Sequence, residues 1–309
     1  MDLCNRSEVK RLLDKYGLAP KKAFGQNFLI NPTVPRMIAE NSYALAASTH
    51  SDGPHAVLEI GPGVGALTCR LAEMYDRVVA VEIDRGLIPL LGESLADYDN
   101  VEVVESDIMN VDLPTFIEEK FGDILSAGGT LSVCANLPYY ITSPVIMKLV
   151  ESFPMSHPLP YVAITVMIQL EVADRLASEA GDSEYGSVTA SLALRADVEK
   201  LLNVSAGNFH PAPKVASAVI GIIPHGGICQ IYPEYESSPL DPDTLGKKTV
   251  ELIGLAFAQR RKTFVNAVSS KYPKDKITEA LEAAGMRADI RGERLTPRDF
   301  CMLADLLNR

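Results

Sequence analysis

The chain is 309 residues long and 47% hydrophobic, with 29 Lys+Arg against 40 Asp+Glu and a formal net charge of −11. That is enough apolar material for one large domain and a smaller one, and no apolar run approaches the roughly 20 residues of a membrane span. The opening MDLCNRSEVK lacks the apolar stretch of a signal peptide, so a soluble, cytoplasmic protein is expected. Five cysteines (Cys4, Cys69, Cys134, Cys229 and Cys301) are scattered without a C-x-x-C pair, and His50, His55, His157 and His225 have no metal-ligand spacing. Neither disulfides nor a metal is therefore expected. The charge is uneven: residues 1–36 carry 7 Lys+Arg against 3 Asp+Glu, residues 241–309 carry 13 against 10, and the middle carries 9 against 27. Basic ends suit phosphate contacts, or simply solvate helices.

In chain order, Val9, Leu12, Leu13 and Tyr16 have helical spacing, and Gly17 is placed to end that helix. Residues 21–29 (KKAFGQNFL) mix cations, an amide pair and two phenylalanines. Such a loop reads as a lid over a cofactor or an RNA-contacting arm, or as a surface loop whose phenylalanines dock into the core. Residues 56–60 (AVLEI) form an apolar strand leading into Gly61-Pro62-Gly63-Val64-Gly65, a glycine-rich turn that opens a helix. Glycine lets the backbone approach a nucleotide cofactor closely. The same residues fit G-x-G-x-x-A, which leaves a dinucleotide open at this point.

A second strand, 78–83, carries Glu82 and Asp84 about twenty residues past the glycines, where a carboxylate can bind a ribose diol. A third, 101–105, ends at Ser106-Asp107, where an S-adenosylmethionine fold places the acid that holds the adenine amine. A fourth apolar run, 131–135, ends at Asn136-Leu137-Pro138-Tyr139-Tyr140. This segment suits chemistry on a planar amino group, whose lone pair is delocalised into its ring. The Asn136 carbonyl and a backbone carbonyl, that of Leu137, can accept both N–H bonds and turn the lone pair outward. Pro138 stiffens the loop, and Tyr139 can stack on a flipped base, an interaction of roughly 1–3 kcal/mol. Asn/Asp-x-Pro-aromatic also occurs as an ordinary strand-to-loop turn.

A fifth strand is expected over 161–168, followed by a helix beginning in MIQLEVA, and by a polar loop at 181–186 beside the site. Prolines 211 and 213 hold the segment before strand 216–223 extended, so that Phe209 faces Tyr139 as a second stacking surface or anchors the core. Residues 226–242, with three prolines and Gly226-Gly227, read as a linker. A helical module over 243–309 carries FAQRRKT on a helix and Arg287, Arg291, Arg294 and Arg298, read as a phosphate-facing cluster. Strand-helix alternation over 56–225 implies an α/β, doubly wound Rossmann-like sheet with a small C-terminal helical domain.

In this order the pieces resemble the ribosomal RNA adenine N6-dimethyltransferase family, most of all its bacterial small-subunit branch. The likeness rests on GQNFL at 25–29, EIGPGVGALT at 59–68, VEID at 81–84, SDIM at 106–109, NLPYYIT at 136–142, MIQLEVADRLA from Met167, FHPAPKVAS at 209–217 and FAQRRKT from Phe257. It implies S-adenosylmethionine contacts at Asn27, Leu29, Gly61, Glu82, Asp107 and Asn136, and a catalytic set of Asn136, Leu137, Pro138, Tyr139 and Phe209, with base stacking at Tyr139 and Phe209. It also implies two methyl transfers to each of two adjacent adenosines in the 3′-terminal hairpin loop of 16S-type RNA, within an assembling small subunit; a monomer is the default expectation. Ser187-Val188 departs from the Leu or Ala expected beside Thr189, and residues 226–242 are longer than usual. Rival readings are a macrolide-resistance enzyme acting on large-subunit RNA, an assembly factor whose binding outweighs its catalysis, and a nicotinamide dehydrogenase.

Overall fold

The computed structural model describes residues 1–21, 24–48 and 52–309. Of the residues singled out above, Lys22, Ala23 and His50 lie outside them. The chain divides into two compact units, one of Met1–Ser152, Pro160–Ala173 and Glu199–Ile223, the other of Phe153–Leu159, Asp174–Val198 and Pro224–Arg309.

The first unit opens with α1 (Arg6–Lys15), β1 (Phe28–Leu29), α2 (Thr33–Ala47), β2 (His55–Ile60), α3 (Ala66–Ala72), β3 (Arg77–Glu82), α4 (Ile88–Ser94) and β4 (Val101–Glu105). It continues with α5 (Leu113–Ser126), β5 (Thr130–Asn136), α6 (Thr142–Glu151) and β6 (Ala163–Gln169). It closes with the later part of β7 (Ala196–Val204), then β8 (Phe209–His210) and β9 (Ser217–Pro224). Strands β2, β3, β5 and β6 are continuous apolar runs, buried along almost their whole length. Such runs are covered on both faces and pair in parallel.

The sheet order is β4-β3-β2-β5-β6-β9-β7, with β9 antiparallel to β6. Chain order therefore reverses between β2 and β5, and the loops leaving these neighbours diverge into a crevice at their carboxyl ends. Register fixes what meets there: Ile60 lies opposite Ala135 and Glu82 opposite Glu105, so Gly61 follows beside Asn136. This is the α/β doubly wound sheet expected from the sequence, with β6 beginning at Ala163 rather than 161.

Two of the apolar clusters in this unit form around its first helices. On one, Ile38 of α2 packs with Val57, Val78, Cys134, Val219 and Phe209. On the other, Val9, Leu12 and Leu13 of α1 pack with Phe28, Val64, Leu87 and Leu91. Helix α1 starts where Asn5 Oδ1 accepts the Ser7 and Glu8 N–H groups at 2.9 and 3.2 Å, and it stops before Gly17, whose φ of +65° is the left-handed exit glycine supplies.

The second unit is helical, built on Pro242–Ala258, Phe264–Val268, Lys274–Ala283 and Pro297–Leu307, whose Leu252, Phe264, Ile277, Phe300 and Leu303 form one core. Residues 226–242 are not an extended connector. They form a short helix (Ile228–Ile231) and a 3-10 turn (Pro233–Ser237), with Ile228 and Tyr235 buried in that core, because apolar residues at these positions gain more from burial than the prolines lose. The segments 153–159 and 174–198 also belong to this unit: Met155 packs directly on Gly246, and the Tyr185 hydroxyl donates to the Leu295 carbonyl at 3.1 Å. A second correction concerns FAQRRKT. The helix ends at Ala258, Gln259 leaves helical geometry, and Arg260, Arg261 and Lys262 occupy the turn before the next helix, where three adjacent cations separate more easily than on a helix.

Candidate active site

A cavity of about 360 Å³ opens at the crevice, and every residue lining it belongs to the first unit. None of residues 181–186, expected beside the site, contributes to it; Tyr185 is buried in the helical core instead. Four strand ends supply its walls: the glycine turn after β2, Glu82 at the end of β3, Ser106 and Asp107 after β4, and Asn136 at the end of β5. Gly61 has φ +72°, and a methyl group added there would meet nothing within 4 Å, so bare backbone faces the open space. Gly63, at φ +61°, lies against the Phe28 ring, which a methyl group would approach to 3.3 Å.

The carboxylates are fixed before any ligand arrives. Glu82 is buried; its Oε1 accepts the Asp84 N–H at 2.8 Å and its Oε2 the Gly63 N–H at 3.2 Å. Burial raises its pKa, while those two N–H groups oppose the rise. Asp107 Oδ1 accepts the Met109 N–H at 2.9 Å, and Oδ2 the Asn110 side-chain amide at 3.1 Å. Asp84 anchors the loop of residues 24–29: its Oδ1 meets Lys21 Nζ at 2.6 Å and its Oδ2 the Gln26 amide at 2.9 Å. Burial alone would raise the Asp84 pKa, but Lys21, Gln26 and the Gly86 N–H hold it below the ordinary value. Within this loop Asn27 donates to the Gly25 carbonyl at 3.0 Å and lines the cavity with Leu29.

Glu59 was not singled out by the sequence reading. It sits in β2, 1% exposed, beside the cavity, with Oε2 unpartnered among the described residues. Burial, with a further push from the Glu82 charge, raises its pKa to about 8. The signal available was a lone acid inside AVLEI. Asp84, named with Glu82 as a carboxylate for a ribose diol, does not line the cavity and holds Lys21 and Gln26 instead, two residues visible in the sequence only as part of the basic loop. Bare glycine backbone beside the hydrogen-bonded Glu82 carboxylate fits a cationic nucleoside better than the pyrophosphate of a dinucleotide.

At the other end, Asn136 is half-buried and its side-chain amide is engaged by no described residue. The Leu137 N–H donates to the Met167 carbonyl at 3.1 Å, while the Leu137 carbonyl accepts nothing among the described residues. The Pro138 carbonyl accepts from the Ile141 N–H at 3.2 Å and the Thr142 hydroxyl at 3.3 Å, so the loop is braced onto the start of α6. Tyr139 hydrogen-bonds the Ser217 hydroxyl at 2.9 Å, which pins its ring. Phe209 is 4% exposed: it lines the cavity but is also part of the core, fixed by pairing of Leu29 with Phe209 in the β1–β8 ladder.

Away from the cavity, Arg260 donates to the Ser183 and Tyr185 carbonyls and pairs with Glu293, Arg287 pairs with Asp289, and Arg298 with Glu234. Arg261, Lys262, Arg291 and Arg294 are exposed and make no ion pair among the described residues.

Comparison with known proteins agrees with this geometry. Residues 17–309 match the family described as ribosomal RNA adenine dimethylase. The chain is 37% identical over 310 residues to ribosomal RNA small subunit methyltransferase A of Shouchella clausii, covering 99% of this chain and 96% of that protein. It is 40% identical over 302 residues to the protein of that name from Lachnoclostridium phytofermentans, covering 96% and 94%. Among solved structures, a dimethyladenosine transferase from Plasmodium falciparum superposes with a TM-score of 0.66 at 26% identity, covering 89% of this chain and 95% of that one. The 23S rRNA methyltransferase ErmE, at 24% identity and a TM-score of 0.62, covers 92% and 100% and shares the fold. A match along residues 17–309, on a sheet whose strand ends carry the glycine turn, Glu82, Asp107 and Asn136, places this chain in the ribosomal RNA adenine dimethylase family.

Proposed function

We propose that this enzyme dimethylates the N6 atoms of two adjacent adenosines in the 3′-terminal hairpin loop of 16S rRNA, within an assembling small ribosomal subunit in the cytoplasm, acting as a monomer. It is an S-adenosylmethionine-dependent ribosomal RNA adenine dimethyltransferase. The observation that carries the reading is the pair of vacant acceptors, the Asn136 side-chain carbonyl and the Leu137 backbone carbonyl, at the mouth of the cavity that holds the glycine turn.

Bound S-adenosylmethionine supplies an electrophilic methyl group. Gly61, Glu82 and Asp107 would hold its nucleoside, with Asn27 and Leu29 lining the same cavity. Asn136 and Leu137 accept the two N–H groups of the adenine amine and turn its lone pair out of the ring plane. Tyr139, pinned by Ser217, stacks on the flipped base; Phe209, packed into the core, sets the opposite limit of the slot. No buried base is required, since the nitrogen loses its proton after attack, and no histidine lines the cavity. The exposed Arg261, Lys262, Arg291 and Arg294 provide phosphate contacts for the helical unit.

The large-subunit alternative is less well supported: relatives at 37% and 40% identity over nearly their whole length are small-subunit enzymes by name, whereas ErmE shares only the fold. The deciding experiment incubates the protein with labelled S-adenosylmethionine and, separately, unmodified small subunits, large subunits and free RNA, followed by nucleoside mass spectrometry. Dimethyladenosine at adjacent positions, from small subunits alone, is the expected result. Label in large-subunit RNA moves the chain to the resistance branch, and cofactor binding without transfer makes an assembly role primary.

A further inference from the structure

The described residues leave six large apolar side chains exposed, and three of them, Ile83, Met109 and Tyr140, line this one cavity. Scattered exposed side chains need no explanation, but a group around a cavity mouth does. Ile83 and Met109 adjoin Glu82 and Asp107, on the carboxylate side. Tyr140 stands on the opposite side, four residues after Asn136, and at 58% exposure it is the most open of the three.

Tyr139 and Tyr140 are consecutive but differently held. The first has its hydroxyl tied to Ser217. The second makes no hydrogen bond among the described residues, yet its ring is not loose: a methyl group added at Gly25 would lie 3.6 Å from Tyr140 Cε1 and 3.1 Å from Pro138 Cβ. Gly25, at φ +59°, thus runs its bare backbone along one edge of the ring and leaves the rest open.

We propose that Tyr140 is the seat of the second nucleobase: while one adenine occupies Asn136, the base next to it in the RNA strand stacks on Tyr140. This rests on the reading that two adjacent adenosines are the substrate. Two such bases in a splayed strand need two platforms, and every base offers a π-face to an exposed ring. Tyr140 is then a positioning residue, holding the strand so that the second adenosine enters when the first leaves.

The test uses small subunits reconstituted from unmethylated transcripts, with each adenosine read separately by mass spectrometry. Tyr140→Leu raises the KM for subunits roughly tenfold, as loss of one stacked base predicts, leaves S-adenosylhomocysteine affinity unchanged, and is largely rescued by Tyr140→Phe. With RNA in which the neighbouring adenosine is replaced by an abasic nucleotide, which leaves no base to stack, wild type suffers a comparable loss and Tyr140→Leu little further loss. Losses that multiply, or weakened S-adenosylhomocysteine binding in Tyr140→Leu, overturn the proposal, the latter by making the ring a cofactor lid. Failure of the underlying reading looks different, as wild type then yields no dimethyladenosine from the unaltered transcript.

Discussion

The two sides of the cavity are built on opposite terms. On the carboxylate side three acids already hold protein donors: Glu82 takes the Gly63 and Asp84 N–H groups, Asp107 the Met109 N–H and the Asn110 side-chain amide, and Asp84 takes Lys21 and Gln26, while Glu59 keeps Oε2 unpartnered among the described residues. On the Asn136 side the working acceptors hold nothing, and only the neighbouring Pro138 and Tyr139 are braced. A site for a ligand that is always the same can be pre-formed by internal bonds. On the proposed function, the other side admits an adenine, then a methylated adenine, and then its neighbour, for which unengaged acceptors on a rigid loop are suited.

That contrast can be broken from either side. The largest effect is expected on the vacant side: Asn136→Ala lowers single-turnover methylation by at least about 100-fold while changing stability by no more than about 0.5 kcal/mol, because its amide supports nothing else. Equal rates in variant and wild type, measured on small subunits, would end the proposed mechanism. Next, Tyr139→Ala raises the KM for subunits by roughly tenfold, whereas Tyr139→Phe, which loses only the Ser217 bond, costs about 1 kcal/mol at most.

The pre-formed side should respond in binding rather than chemistry. Asp84→Ala frees Lys21 and Gln26 and weakens S-adenosylhomocysteine affinity several-fold, by about 1 kcal/mol, the value of one ordinary hydrogen bond, with little change in the rate at saturating cofactor. Calorimetric titration against single-turnover rates separates the two. A further effect is one of pH. Folding raises the Glu59 pKa from 4.5 to about 8, so the folded chain retains a proton that the unfolded chain releases. The stability this group permits is complete below about pH 4.5 and falls as pH rises toward 8. In Glu59→Gln the melting temperature should therefore fall less between pH 5 and 8 than in wild type, without cofactor; parallel curves would mean that Glu59 ionises freely.

Much of this was legible in the sequence because its signals are local. AVLEI followed by three glycines, and LSVCAN followed by Leu-Pro-Tyr-Tyr, each state a strand, its end and a polar residue there. What was not legible depends on partners distant in sequence. Nothing near Asp84 says that Lys21 reaches it, and nothing near Phe209 says that Leu29 pairs with it and draws its ring into the core. The same holds for residues 226–242: prolines and glycines advertise a connector, while the burial of Ile228 and Tyr235 depends on helices later in the chain. A run of three cations on an apparent helix gave way to a turn because Thr263 opens a new helix just after it.

The two-residue pairing of β1 with β8 fixes when the cavity can exist at all. Leu29 meets Phe209 and Asn31 donates to Asn208 at 2.8 Å across 177 positions of chain, so the wall between them closes a loop as long as the domain itself. Such closure is slow to find and comes late. In a chain emerging from the ribosome N-terminus first, the residues of the glycine turn, the carboxylates and Asn136 all precede residue 208. The proposed adenine slot is therefore among the last parts of the first unit whose residues have all been synthesised, because Phe209 lies near that unit's end.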